Sequence, residues 1–117
     1  MQKIYHLSTC NTCQKIIQEL APKKQVQLQD IKSDKITTEQ LDELATFAGS
    51  YEALFSRKAI KYRTLGLAAK VLTEKEYRTL ILEEYTFLKR PVVVARKSIF
   101  IGNAAKTVAA AKEALAG

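Results

Sequence analysis

The chain has 117 residues and a mass of 13.1 kDa, enough for a single hydrophobic core. Its 47% hydrophobic and 26% charged residues are those of an ordinary globular domain, which argues against wholesale disorder, and no stretch approaches the roughly 18 apolar residues of a membrane span. The net charge is +7, and the bases are segregated: no acid occurs from Ala53 to Thr73 or from Tyr85 to Lys112. Such a field suits an anionic partner, a small oxyanion, a glutathione-like peptide, an acidic protein surface or nucleic acid, although a solvated basic face gives the same pattern. Met1 to Tyr5 reads as a strand and lacks the long apolar stretch of a secretory signal, so the expected location is cytoplasmic.

Along the chain, Ile4 to Leu7 is a strand candidate running into Ser8-Thr9-Cys10-Asn11-Thr12-Cys13, a polar turn rich in helix-capping residue types. Ile16, Ile17 and Leu20 predict a helix that Ala21-Pro22-Lys23-Lys24 breaks. Gln25 to Asp30 alternates polar and apolar residues with the period of a half-buried strand. This β-α-β order favours two parallel strands joined by a crossover helix. Thr37-x-x-Gln40 and Thr73-x-x-Glu76 are capping boxes before helical apolar spacings, and Gly49 ends the first of these helices. Ser50 can start a short helix carrying Leu54 and Phe55; Ile60 to Leu72 is ambiguous, with Gly66 arguing for a break. Pro91-Val92-Val93-Val94 and Ser98 to Ile101 read as an antiparallel hairpin turning at Arg96-Lys97. Asn103 can cap a last, Ala-rich helix through Leu115.

The order β-α-β, helical insert over about residues 36–88, β-β-α predicts an α/β fold. It is the thioredoxin-like (glutaredoxin-like) arrangement, a single domain over residues 1–117 with a four-stranded mixed sheet flanked by helices.

The chemistry concentrates at Cys10 and Cys13. Two cysteines three residues apart at a strand-to-helix turn place both sulfurs at one helix N-terminus, where free N–H groups and the helix dipole favour the thiolate. Cys10, nearer the strand, is the better nucleophile; Cys13 can resolve. The rival readings are half of a zinc site, for which only His6 and carboxylates remain as ligands, and a pair of inert structural thiols. Pro91 opens the strand after the insert, where this fold often places a cis proline facing the redox cysteines; the plain alternative is an edge-strand proline. Arg57 and Arg90 can fork onto an oxyanion and depress a thiol, if the fold brings them to Cys10; otherwise they are surface charges. His6, four residues before Cys10, can support the thiolate or make a structural hydrogen bond on its strand.

Ile4-Tyr5-His6-x-x-x-Cys10, the mid-chain Ser56-Arg57-Lys58, and Leu88-Lys89-Arg90-Pro91-Val92-Val93 with the closing Gly102-Asn103 resemble the glutaredoxin-dependent arsenate reductases of the ArsC family, and their relatives the Spx regulators. The resemblance implies that Cys10 attacks arsenate, that His6 supports the thiolate and that Arg57 and Arg90 hold the oxyanion. It places Pro91 in cis and makes Asn11, Thr12 and Pro91 the expected substrate-binding positions. No bound cofactor or metal is implied; glutathione is the co-substrate and glutaredoxin or thioredoxin the partner. The chain departs from the reductases at Cys13, a second thiol as in Spx, at Gln14, where an arginine is typical, and at Gly102-Asn103, where a third oxyanion arginine is expected.

Two functions follow from the resemblance. One is a thiol–disulfide oxidoreductase in which Cys10 attacks an oxyanion, a disulfide or a glutathione mixed disulfide and Cys13 resolves. The other is an Spx-like regulator binding the RNA polymerase α subunit, its C-x-x-C sensing oxidation. No aromatic-basic interleaving or base-reading motif supports direct nucleic-acid binding, and no membrane partner is expected.

Overall fold

The computed structural model describes residues 2–116. The chain divides into two compact units, Met1–Lys35 with Arg90–Gly117, and Ile36–Lys89. Among the described residues, no helix is long and apolar enough to cross a membrane.

The first unit is a four-stranded mixed sheet with two helices. β1 (Gln2–His6) lies between β2 (Gln27–Asp30), to which it is parallel, and β3 (Val92–Ala95), to which it is antiparallel. β4 (Ser98–Ile101) pairs antiparallel with β3, giving the order β2-β1-β3-β4. The helix α1 (Asn11–Leu20) makes the crossover between the parallel strands, and α5 (Ala105–Ala116) follows the hairpin. One core joins the sheet to both helices: Ile4, Val93 and Ala95 meet Ile16 and Leu20 of α1 and Val108, Ala111 and Leu115 of α5. The element order and the α/β thioredoxin-like architecture expected from the sequence are those observed.

Three local expectations change. The alternation over 25–30 does not run through as one strand. Val26 is buried from the turn, its N–H bonded to the Lys23 carbonyl, and the strand proper starts one residue later in the opposite phase. Leu28 is therefore 50% exposed, while Gln29 turns inward and its amide donates to the Asp34 carbonyl at 3.0 Å. In α1 the buried face is Cys13, Ile16 and Leu20, with Ile17 only half-buried. The last helix begins at Ala105, and the Ala104 carbonyl accepts the Val108 N–H, so the capping position is Ala104 rather than Asn103.

The second unit is helical. α2 (Thr38–Ala48) and α4 (Glu74–Glu83) each start with a complete capping box, at Thr37 with Gln40 and at Thr73 with Glu76. Gly49 closes α2 at a φ of 92°, a left-handed conformation that glycine adopts without penalty. The Ser50 hydroxyl accepts the Ala53 N–H at the start of a 3-10 turn over Glu52–Leu54. The ambiguous segment resolves into the short α3 (Ile60–Thr64) and a second 3-10 turn (Leu67–Ala69), separated at Gly66. Asp42 of α2 binds Arg78 of α4 through two contacts, 2.8 and 3.2 Å, and accepts the Tyr51 hydroxyl at 2.6 Å. Phe55 stacks on Phe87 and lies against Tyr77, both at 4.9 Å between ring centres.

Candidate functional site

The chain leaves β1 at His6, crosses Leu7 to Cys10 and enters α1 at Asn11. Cys10 is the residue before the first helical turn and has extended backbone, with its N–H donating to the Leu7 carbonyl at 3.1 Å. The first turn of α1 contains no acidic side chain of its own to neutralise the positive end of the helix dipole.

The two thiols differ sharply. Cys10 is half-buried and Cys13 fully buried. Burial pushes Cys10 up, but hydrogen bonds from the Cys13 backbone N–H, the Cys13 thiol and the Thr12 backbone N–H, together with the Arg90 charge, outweigh it and hold Cys10 below the ordinary thiol range. For Cys13 burial dominates: despite a hydrogen bond from the Leu7 backbone, the buried thiol beside Cys10 is pushed up to about 11. One sulfur is thus set to ionise and its neighbour to stay protonated.

Cys10, Cys13, Thr12 and Arg90 come together in the first unit. Asn11 and Thr12 are exposed at the start of α1. Pro91 is buried, the Arg90–Pro91 peptide is cis, and the Pro91 carbonyl accepts the Gly102 N–H at 2.9 Å. His6 ends β1 opposite Asp30; its Nδ1 is buried and finds no hydrogen-bond partner among the described residues. Arg57 belongs to the second unit, where its guanidinium donates to Glu52 and to the Tyr77 hydroxyl, each at 3.0 Å, and its side chain remains 48% exposed.

Sequence reasoning missed the polar frame behind the cysteine turn. Asp30, at the end of β2, accepts the Ser8 N–H and hydroxyl, the Lys32 N–H and the Ser33 hydroxyl, and these donors draw its carboxyl down to about 2. Gln14 reaches back from α1 to the Ser8 carbonyl at 2.7 Å. The only sequence signal was Asp30 next to a turn; its bond to Ser8 spans 22 residues and follows from the parallel pairing of β1 with β2.

Three solved structures illustrate the likeness. An arsenate reductase from Vibrio cholerae superposes with a TM-score of 0.77 at 21% identity, over 93% of this chain and 95% of its own. A YffB protein gives 0.77 at 24% identity, over 95% and 98%. A protein from Staphylococcus aureus gives 0.71 at 26% identity, over 92% and 94%. No functionally curated protein matches the chain. The ArsC family profile, however, matches residues 5–111, which takes in the end of β1, the cysteine turn, the Arg90–Pro91 junction and the first part of α5. By that match, and with the fold agreeing, this chain belongs to the ArsC family.

Proposed function

We propose that the chain is an arsenate-reductase-like thiol–disulfide oxidoreductase of a reducing compartment such as the cytoplasm, with Cys10 as nucleophile and Cys13 as resolving thiol. The observation that carries this reading is the asymmetry of the two sulfurs, one partly exposed and pulled down, the other enclosed and pushed up to about 11. The description of the Vibrio cholerae neighbour as an arsenate reductase and the ArsC profile support it.

In the first step the Cys10 thiolate attacks. On a disulfide it displaces one thiolate and leaves a mixed disulfide on Cys10; on arsenate it displaces an oxygen as water and leaves a sulfur–arsenic(V) bond. In the second step Cys13, losing its proton, attacks the Cys10 sulfur. The bond from Cys10 to its adduct breaks with the electron pair staying on the leaving group, a thiolate or arsenic(III), and the Cys10–Cys13 disulfide forms. Once Cys10 is bonded its negative charge is gone, which removes one of the causes that keep Cys13 protonated. A dithiol protein of the glutaredoxin or thioredoxin class, or glutathione, then returns both cysteines to thiols. Arg90 is assigned to the thiolate and to the charge of an anionic adduct; Arg57 and His6 are assigned supporting roles in holding the anion and the thiolate, and Asn11, Thr12 and Pro91 contact with the substrate.

The test is turnover of arsenate and of a glutathione mixed disulfide with glutaredoxin or thioredoxin supplied. At least one substrate should be reduced, and Cys10→Ser should abolish the reaction. Full activity in Cys10→Ser would refute the assignment.

A further inference from the structure

The cysteine turn has no regular secondary structure, and Ser8 and Thr9 are exposed to water. Two side chains from regular elements nevertheless tie it down. From β2, Asp30 takes the Ser8 N–H at 3.2 Å and the Ser8 hydroxyl at 2.5 Å. From α1, the Gln14 amide donates to the Ser8 carbonyl at 2.7 Å. The same peptide segment is gripped at both its donor and its acceptor, two residues ahead of Cys10.

We propose that Asp30 and Gln14 are positioning residues for Cys10: by holding Ser8 from both sides they fix the turn that delivers the sulfur to the first-turn amides of α1. The inference rests on the thiolate reading of Cys10 given above. The N–H groups of Thr12 and Cys13 are fixed by the helix, whereas the sulfur they bind is carried by a residue with extended backbone just outside it. Hydrogen bonds weaken steeply with misalignment, so their strength depends on how firmly that residue is placed. Together the two ties join the turn to β2, which is paired in parallel with β1, and to α1. Asp30 is a suitable anchor because four donors compensate its charge. The carboxylate therefore holds the turn over the whole range in which a thiol titrates.

The experiment is pH-dependent alkylation of Cys10 by iodoacetamide in the full chain, resolved by residue with mass spectrometry, for the wild type, Asp30→Ala, Asp30→Asn and Gln14→Met. Asp30→Ala and Gln14→Met should each move the Cys10 titration to higher pH and slow its alkylation at pH about 6 several-fold, since less thiolate is then present. Asp30→Asn should recover part of the loss, because its amide oxygen still accepts the Ser8 N–H. A purely structural role would lower the melting temperature and leave the titration in place. An unchanged titration in folded variants, or a downward shift in Asp30→Ala, overturns the proposal; if Asp30→Ala does not fold, Gln14→Met decides alone. An ordinary titration in the wild type would instead mean that the thiolate reading itself had failed.

Discussion

At the residue scale, the reactivity of Cys10 is a balance in which burial is opposed by four separate groups. Their order makes a prediction. The Cys13 thiol ranks ahead of the Arg90 charge among the groups that lower Cys10, so Cys13→Ala should raise the Cys10 titration more than Arg90→Ala does. The Cys13 and Thr12 backbone N–H groups survive both substitutions and continue to favour the thiolate in either variant. Titration by thiolate absorbance or alkylation checks this; a larger rise in Arg90→Ala would reverse the ranking. Cys10, Cys13 and Pro91 were legible as candidates because residue type and spacing carry their chemistry. The engagement of Arg57 with Glu52 and Tyr77 was not, since it depends on side chains that the helical insert folds together.

At the element scale, the local signals that proved reliable were those with a self-contained hydrogen-bond logic. Both capping boxes form as the Thr-x-x-Gln and Thr-x-x-Glu spacings imply, and Gly49 and Gly66 fall where the backbone turns left-handed. The polar-apolar alternation of β2 misled because a turn resets the phase between Val26 and Leu28, and alternation is meaningful only within one unbroken strand. The corrected phase is testable by denaturant unfolding. Leu28→Thr, on the exposed face of the edge strand, should change stability by no more than about 0.5 kcal/mol. Ile4→Ala, in the central strand and fully enclosed, should cost about 2–5 kcal/mol. A Leu28→Thr loss as large as that of Ile4→Ala would restore Leu28 to the core and contradict the phase described here.

At the scale of the whole molecule, the succession of strands and helices was enough to place the fold, because a β-α-β start and a β-β-α finish admit few sheet orders. The polar frame around Ser8 was not legible, since it joins residues 22 positions apart through the sheet itself. The raised Cys13 thiol also has a global consequence. In the unfolded chain Cys13 releases its proton near 8.5, whereas the folded chain retains it up to about 11. Between those values the unfolded state binds fewer protons, so the contribution of Cys13 to stability falls as pH rises. Compared with the wild type, Cys13→Ala should therefore lose less stability between pH about 9 and about 11 in thermal or denaturant unfolding. Parallel curves for the two proteins would contradict the burial and protonation assigned to Cys13.

The division of labour between the two sulfurs is tested most directly by alkylating the native chain from about pH 5 to about pH 11 and mapping the modified residue at each pH. The account predicts that Cys10 reacts first, with its midpoint shifted down from that of an ordinary thiol, and that Cys13 stays unmodified until the solution is strongly alkaline. Equal reactivity of both cysteines, or a Cys10 midpoint at or above the ordinary value, would contradict it.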